Sequence, residues 1–166
     1  MHVKVFTQKQ LQNLLCLASD SARLRAHLCL HNSHQDKVQR ILIGLSEGTY
    51  IPPHFHRNES QWEHFQVIDG AVDLYVFDID GVVIDIIRLS SDSGSLFAKI
   101  EPHTVHTLVC RSQQAVVLEI KEGPFIESEA KVIPLWSYTE EYRPYSRNEI
   151  VSMLEALAIG DVFNIR

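Results

Sequence analysis

The sequence is poor in cysteine and in long apolar runs. Its three cysteines, Cys16, Cys29 and Cys110, form no Cys-x-x-Cys pair, which argues against a disulfide framework or a cysteine-rich zinc module. We expect reduced, mostly buried thiols in a cytoplasmic protein. No apolar run approaches the roughly 18 residues that a membrane-spanning helix requires, so the sequence predicts no membrane association.

Several functional signatures are also missing. The sequence contains no P-loop, no G-x-G-x-x-G and no Ser/His/Asp order, which leaves NTPase, dinucleotide and nucleophilic-hydrolase chemistry unsupported. Lys and Arg number 15 against 21 Asp and Glu, for a net charge of −6, and no basic cluster predicts a nucleic-acid partner. Residues 1–10 lack the apolar core of a signal peptide, which again indicates a cytoplasmic location. A small molecule is the partner we expect.

The hydrophobic pattern is mostly that of short strands. Turn residues such as Asp80-Gly81 separate the apolar runs, and no helical pattern lies between them, which excludes a parallel α/β sheet. The strands are predicted at residues 38–45, 62–68, 71–77, 82–89, 96–100, 106–110 and 115–121. Capping boxes at Thr7/Gln10 and Ser146/Glu149 predict one helix before this region and one after it.

These patterns together predict an all-β fold, a jelly-roll β-barrel of two antiparallel sheets with an N-terminal and a C-terminal helix outside. We predict one domain over residues 1–166. Its barrel core spans about 36–125, a helical extension covers 1–30 with the helix at 8–19, and a wrapping segment with the second helix covers 126–166.

Histidine is abundant among the residues that can bind a metal or carry a proton. Of nine histidines, five lie between residues 54 and 106. His54 and His56 are alternate residues of an extended segment and therefore project from one face. If Glu63 on the next strand faces the same way, two imidazoles and a carboxylate suit one divalent transition metal, such as Zn, Fe, Ni or Mn. An isolated His-x-His pair is more often merely polar, but Glu63, the flanking glycines and a later histidine favour the metal.

Two histidines compete to be the fourth ligand. His106 begins a predicted strand and shares a face with Leu108 and Cys110, so its side chain can point into the barrel. His103 directly follows Pro102 in a turn. We favour His106, which leaves His103 at the rim as a solvated residue or a substrate contact.

This spacing resembles the two motifs of the cupin superfamily. The first motif is matched by Gly48-x5-His54-x-His56 and Glu63-x6-Gly70, and the second by the segment from Gly94 through Pro102 to His106. The second match is one residue shorter than the family pattern and lacks its glycine. The resemblance implies a cupin jelly roll with a metal held by His54, His56, Glu63 and His106.

The resemblance extends beyond these motifs, to the WbuC-type cupin-fold metalloproteins over about residues 8–137. The shared residues are Arg23-x-Arg25, His31 with Asp36, Val38-Gln39-Arg40, Tyr50-Ile-Pro-Pro-His-x-His, Glu119-x-Lys121-x-Gly123-Pro124 and Trp136. This resemblance implies a bacterial cytoplasmic protein that acts near the sugar chemistry of O-antigen and lipopolysaccharide biosynthesis. Pairing among cupins, together with sheet edges that need cover, leads us to expect a homodimer.

Three functions fit such a site, and the sequence leaves open whether it is catalytic. The first is a metal-dependent enzyme of isomerase or epimerase type on a small polar or sugar substrate, with the ion as a Lewis acid and Tyr50, His103 or His31 as candidate proton carriers. The second is an Fe(II)-dependent dioxygenase. The third is a non-catalytic sugar or metabolite binding protein.

Two further groups of charged residues have alternative interpretations. Arg23, Arg25 and Arg40 form either an anion-binding rim or structural pairs with Asp20, Asp36 or backbone carbonyls. Glu119 lies in a buried-looking strand, so we expect Lys121 or an arginine to pair with it. It could instead orient a metal ligand.

Overall fold

The computed structural model describes residues 3–92, 94–129, 131–141 and 144–163, so both ends of the predicted 1–166 domain lie outside the described residues. Its elements in chain order are α1 (Gln8–Asp20), β1 (Arg25–Cys29), β2 (Val38–Ser46), β3 (Glu63–Asp69), β4 (Ala71–Phe77), β5 (Val83–Ser90), β6 (Phe97–Ile100), β7 (Val105–Cys110), β8 (Gln114–Glu122) and α2 (Arg147–Glu155). A single 3₁₀ turn lies at Glu127–Glu129.

The strands form two antiparallel sheets. The larger has the order β1-β2-β8-β3-β6 and the smaller has the order β5-β4-β7. One apolar core lies between them, with Phe65 and Val117 from the larger sheet packed with Leu74 and Leu108 from the smaller. The predicted all-β fold, with a helix near each end, is therefore confirmed.

Buried and partly buried residues alternate along strand β3, and the buried ones define its inner face. Glu63, Phe65 and Val67 are buried, whereas the alternate residues His64 and Gln66 are only partly so. This period of two is that of a pleated strand. Glu63 therefore shares one face with Phe65 and Val67, and its carboxylate is turned into the molecule with the core.

Strand β1 lies within the segment that we predicted as a helical extension. It pairs with β2 over five positions, from Arg25 opposite Leu45 to Cys29 opposite Ile41. Its apolar alternate residues, Ala26 and Leu28, pack in the cluster formed by α1 and the larger sheet. The larger sheet therefore begins at β1, before the predicted core boundary at residue 36. Helix α1 covers the apolar face of β1.

Both predicted helices and their capping boxes are present. The side chain of Gln10 accepts a hydrogen bond from the backbone N–H of Thr7, and Glu149 does the same for Ser146. Helix α2 packs through Ile150, Val151 and Leu154 into a second apolar cluster, against Tyr75 and Phe163. In the part of the chain that the structure describes, no helix is long and apolar enough to cross a membrane.

Candidate metal centre

The segment that carries His54 and His56 pairs with the start of β7. The backbone N–H of His54 donates to the carbonyl of His106 at 3.1 Å, and the N–H of His106 donates to the carbonyl of His54 at 2.9 Å. This reciprocal pair places the two imidazole rings side by side, with centroids 4.8 Å apart. The residues before it, Pro52-Pro53, are both buried and lead the chain into this position.

Four side chains converge at this point. One ligand atom from each of His54, His56, Glu63 and His106 lies within 4.8 Å of all the others. Glu63 is central, because its Oε1 is 3.0 Å from Nε2 of His56 and its Oε2 is 3.0 Å from Nε2 of His106. Glu63 and His106 are almost completely buried. The group therefore consists of three imidazoles and one carboxylate in a site shielded from solvent.

His103 does not join this group. It has a positive φ of 63° in the turn before β7, its side chain is exposed, and its backbone N–H donates to the carbonyl of His56 at 3.1 Å. His106, two positions before Leu108 on β7, faces the interior. The structure thus places His106, and not His103, beside the other three residues.

The hydrogen bonds of two histidines direct Nε2 toward the centre of the group. Nδ1 of His54 lies 2.9 Å from the carbonyl of Pro52, and Nδ1 of His106 lies 2.9 Å from the carbonyl of Thr104. A carbonyl accepts, so Nδ1 carries the proton in each ring and Nε2 of the neutral ring presents a lone pair. Metal-binding histidines in proteins usually donate their second N–H in this way.

The centre of the group lacks hydrogen bonds among the described residues. The 3.0 Å contacts of Glu63 do not have hydrogen-bond geometry, and Nε2 of His56, Nε2 of His106 and Oε2 of Glu63 are buried without a hydrogen-bond partner. Oε2 of Glu63 faces the nitrogen lone pair of His106 at 3.0 Å, and such a contact is stabilised by a cation, either a proton or a metal ion. The donor set therefore fits a metal ion.

The electrostatics of the metal-free group favour the metal-binding forms of Glu63 and His54, and a proton on His106 that a metal ion would replace. Burial alone would raise the pKa of the Glu63 carboxyl, but His106 and His56 lower it well below its usual range. Burial opposes the charged form of His106, yet the neighbouring Glu63 carboxylate raises its pKa above the ordinary value. Burial, followed by the repulsion from His106, lowers the pKa of His54. Glu63 is therefore ionised and His54 neutral, which are the forms that bind a metal.

The spacing of the ligand atoms is also suitable. Two ligand atoms that lie about 2.1 Å from one ion, at right angles, are about 3.0 Å apart. That is the distance from the Glu63 oxygens to His56 and to His106. Three nitrogens and one carboxylate oxygen suit zinc, iron, nickel or manganese and do not select among them. His54, His56, Glu63 and His106 could thus hold one divalent transition metal.

A buried ion pair adjoins Glu63 on the next strand. Lys121 on β8 lies opposite Glu63, and its Nζ is 2.7 Å from Oε1 of Glu119 and 3.6 Å from Oε1 of Glu63. Burial would lower the pKa of Lys121, but Glu119 and Glu63 raise it above the ordinary value. The predicted pairing of Glu119 with Lys121 is confirmed, and Lys121 also places a positive charge beside Glu63.

The four-residue group lies in the wall of a cavity of ≈ 470 Å³. The inner faces of β1, β2, β3, β7 and β8 contribute to the wall, together with the segment after β8. Besides the four residues, the lining includes Arg23, Arg25, His27, Cys29, His31, His34, Gln39, Ile41, Phe65, Glu119, Lys121, Phe125, Glu127 and Lys131. This volume is in the range of small-molecule sites.

The three candidate proton carriers occupy different places. His31 is buried and lines the cavity. Tyr50 is buried in the second apolar cluster, where its hydroxyl donates to the carbonyl of Tyr138 at 2.6 Å. Tyr50 is thus a core tyrosine and is not among the residues that line the cavity. His103 is exposed in its turn, as described above.

The arginines have a partner that the sequence did not indicate. Both Arg23 and Arg25 line the cavity and bind the carboxylate of Glu140, more than a hundred residues away in the chain. Arg25 is buried and also donates to the carbonyl of Tyr50. The predicted partners Asp20 and Asp36 do not take this role, and Arg40 is exposed on the outer face.

Other lining residues were missed, although the sequence carried a signal for some of them. Arg25, His27 and Cys29 alternate along β1 and continue in step to His31. This polar alternation would have identified an inward-facing strand if β1 had been predicted. Gln39 stands on β2 among apolar residues, and Lys131 follows β8 in irregular structure, so local patterns gave no indication of their position.

A comparison of the sequence with protein families now adds to this geometry. A model described as a domain of unknown function, DUF6016, matches residues 6–89, about half of the chain. The chain belongs to the DUF6016 family. That match includes His54, His56 and Glu63 and ends before His106. No curated protein matches the chain.

Solved structures establish the fold of this DUF6016 protein as that of a cupin. It is similar to a cupin 2 conserved barrel domain protein from Rhodopseudomonas palustris (TM-score 0.50, 14% identity, 66% of each chain). It is also similar to CapF, a capsular polysaccharide assembling protein from Staphylococcus aureus (TM-score 0.51, 15% identity, 65% of this chain and 34% of CapF). This DUF6016 chain therefore spans about a third of the length of CapF.

A third similar structure is the SPY1581 protein of unknown function from Streptococcus pyogenes (TM-score 0.50, 11% identity, 76% of this chain and 92% of that chain). At these identities the likeness concerns the fold alone. This DUF6016 protein therefore has the cupin fold and carries a histidine–glutamate group that could bind a metal ion.

Proposed function

We propose that this protein binds one divalent transition metal through His54, His56, Glu63 and His106 and acts on a small sugar-type ligand in the adjoining cavity. The observation that supports the proposal most is the buried group of three imidazoles and one carboxylate in the wall of a ligand-sized cavity. The reaction we propose is of isomerase or epimerase type. A divalent ion supplies Lewis acidity, which polarises a carbonyl or hydroxyl oxygen of the ligand.

The charges around the cavity favour a ligand with an anionic group. The lining contains four cationic side chains, Arg23, Arg25, Lys121 and Lys131, and three carboxylates, those of Glu63, Glu119 and Glu127. Glu140 neutralises one further charge by binding both arginines. A divalent ion would make the cavity positive, although the whole chain carries a net charge of −6. A phosphate or carboxylate on the ligand would balance that charge.

The cellular role that we propose is in bacterial polysaccharide or O-antigen biosynthesis. The resemblance to WbuC-type metalloproteins supports it, because it extends beyond the metal motif to Arg25, His31, Gln39 and Lys121, all of which line the cavity. CapF, which shares the fold, is a capsular polysaccharide assembling protein. A homodimer remains a prediction, which light scattering would test.

Metal analysis tests the first part of the proposal. Protein purified without added metal, or reconstituted with Zn²⁺, is expected to hold one ion per chain, whereas Glu63→Gln and His106→Ala should each lose stoichiometric binding. His103→Asn is the matched control, because asparagine tolerates the positive φ of this turn. It should keep the ion. Unchanged metal content in both Glu63→Gln and His106→Ala would overturn the site.

Ligand chemistry tests the second part. Metal-loaded protein is incubated in D₂O with sugar phosphates and uronic acids, and the exchange of the proton beside the carbonyl is followed by NMR. Metal-dependent exchange that Glu63→Gln abolishes is the expected result. Oxygen consumption by the Fe(II)-loaded protein would instead support a dioxygenase. Binding without either reaction would support a non-catalytic sugar or metabolite binder.

A further inference from the structure

A polar row crosses the inner face of the larger sheet, starting at the metal centre. Glu63 on β3 lies opposite Lys121 on β8, and Lys121 lies opposite Gln39 on β2. On the far side of β2, Cys29 lies opposite Ile41, and the N–H of Leu30 donates to the carbonyl of Arg40 at 2.8 Å. The next pair in this register is His31 and Gln39. The row therefore runs Glu63, Lys121, Gln39, His31 across four neighbouring positions.

The amide of Gln39 has one end engaged and one end unpaired. Its nitrogen donates toward the carbonyls of Ser33, His34 and Asp36, at 3.3, 3.2 and 2.7 Å. Three acceptors around one atom establish it as the nitrogen, so the oxygen points the other way. Gln39 is 1% exposed, and its Oε1 is buried without a partner among the described residues. Gln39 thus offers an unused acceptor.

The imidazole of His31 likewise has one nitrogen with a hydrogen-bond partner and one without. Nδ1 of His31 lies 3.1 Å from both the backbone N–H and the carbonyl oxygen of Arg40. That carbonyl already accepts from Leu30, whereas the N–H of Arg40 requires an acceptor, which Nδ1 provides. Nδ1 is therefore an acceptor, which places the proton of the neutral ring on Nε2. His31 is 8% exposed, and Nε2 has no partner among the described residues. His31 thus offers an unused donor.

One ligand hydroxyl, or two adjacent hydroxyls, can accept a hydrogen bond from the His31 donor and donate one to the neighbouring Gln39 acceptor. Leaving buried polar groups unpaired is unfavourable, so both atoms gain from a ligand that reaches them. Adjacent strands are about 4.8 Å apart, which places His31 about 14 Å from Glu63 along the row. His34 and Phe125, with ring centroids 5.1 Å apart, add flat surface at this end of the cavity.

We propose that His31 and Gln39 form a hydroxyl-binding subsite for the end of a polyhydroxylated, sugar-type ligand whose other end reaches the metal centre. This subsite rests on the proposed function, since it identifies the part of the ligand farthest from the ion. Nε2 of His31 donates to a ligand oxygen, and Oε1 of Gln39 accepts from a ligand hydroxyl. The subsite is a binding element and requires no change in the protonation of either residue.

Two substitutions of His31 separate binding from structure. The Oδ1 of asparagine can take the position of Nδ1, so His31→Asn keeps an acceptor for Arg40 and removes the donor in the cavity. The amide nitrogen of glutamine can take the position of Nε2, so His31→Gln keeps a donor for the ligand and removes the acceptor for Arg40. His64→Gln is the control, because His64 stacks on Phe97 at the outer face of β3.

Isothermal titration of Zn²⁺-loaded protein with glucose 6-phosphate, glucose and inorganic phosphate tests the subsite. We expect glucose 6-phosphate to bind more tightly than phosphate, and His31→Asn to weaken that binding about tenfold, the usual effect of one lost hydrogen bond. His31→Gln should bind nearly as wild type but melt at a lower temperature. His64→Gln should change neither property.

The possible outcomes separate this inference from the proposed function. Equal affinity of wild type and His31→Asn for glucose 6-phosphate overturns the subsite and leaves the metal function standing. Binding of phosphate as tight as that of glucose 6-phosphate overturns it as well, because the hydroxyls then contribute nothing. A third outcome is that the metal-free protein binds the sugar, that His31→Asn abolishes this binding and that Glu63→Gln leaves it unchanged. This outcome supports the subsite and overturns the metal-dependent function.

Discussion

Lys121 and Glu63 are cross-strand neighbours whose charged ends lie 3.6 Å apart. Lys121 also holds Glu119 at 2.7 Å, so one cation serves two buried carboxylates. In the metal-free protein we expect Lys121→Met to lower the free energy of unfolding by about 3–5 kcal/mol, because both carboxylates lose their compensating charge. Urea unfolding monitored by fluorescence measures the change.

The exposed pair Lys99–Glu101 is the control for this prediction. Its charged ends lie 2.6 Å apart at the surface, so Lys99→Met should cost about 0–1 kcal/mol. Adding Glu119→Gln to Lys121→Met should restore part of the stability by removing one of the uncompensated charges. Equal losses in the two lysine variants would show that Lys121 is not needed to balance Glu63 and Glu119.

The sequence was sufficient to predict the residues of the candidate metal group, because each rests on a local rule. Strand parity places His54 and His56 together, directs Glu63 inward and turns His106 toward the core. The remaining choice, His106 or His103, depends on where a turn ends. In the structure His103 lies in the turn with a φ of 63°, and His106 lies in the group with the other three residues.

The rest of the cavity could not be predicted, because long-range contacts build it. Arg23 and Arg25 meet Glu140 across more than a hundred residues, and charge pairing within a local window cannot identify such a partner. His31 and Gln39 are opposite one another only because β1 joins the sheet. Assigning residues 1–30 to an extension outside the barrel core left that strand out of the predicted sheet, and with it the inner row that leads from Glu63 to His31.

Gly70, which closes the first sequence motif, has no room for a side chain. Its φ is +74°, and a Cβ would lie 2.4 Å from the carbonyl oxygen of Gln114. We expect Gly70→Ala to lower the free energy of unfolding by about 2–5 kcal/mol, the sum of backbone strain and overlap. Gly160→Ala is the control, since its φ is +94° with no atom within 4 Å of the added Cβ, and it should lose about 1–2 kcal/mol. Equal losses would contradict the overlap.

The three thiols should differ in reactivity. The expectation that they are mostly buried is wrong for Cys16 and Cys29, which are exposed, and holds for Cys110. Burial raises the pKa of the Cys110 thiol to about 11, which lowers its thiolate fraction about a hundredfold. N-ethylmaleimide at neutral pH should therefore add two labels to the native protein and three in urea, as counted by mass spectrometry. Rapid addition of a third label to native protein would place Cys110 at the surface.

The bond between Glu140 and the two arginines should make stability depend on pH. Burial would raise the pKa of Glu140, but Arg23 and Arg25 lower it below the ordinary carboxyl value of 4.5. The unfolded chain therefore takes up the proton first as the pH falls, so the contribution of Glu140 is complete above about pH 4.5 and declines below it. The direction of the effect is a loss of stability in acid.

Glu140→Gln tests this contribution directly. At pH 7 the substitution leaves buried Arg25 without its carboxylate, and we expect the free energy of unfolding to fall by about 1.5–3 kcal/mol. The difference from wild type should shrink as the pH is lowered from 5 to 3, because wild type then loses the same charge. Glu141→Gln, at an exposed neighbouring position, should track wild type throughout in urea unfolding. A difference between wild type and Glu140→Gln that stays constant with pH would mean that the carboxylate charge contributes nothing and that the substitution acts through packing alone.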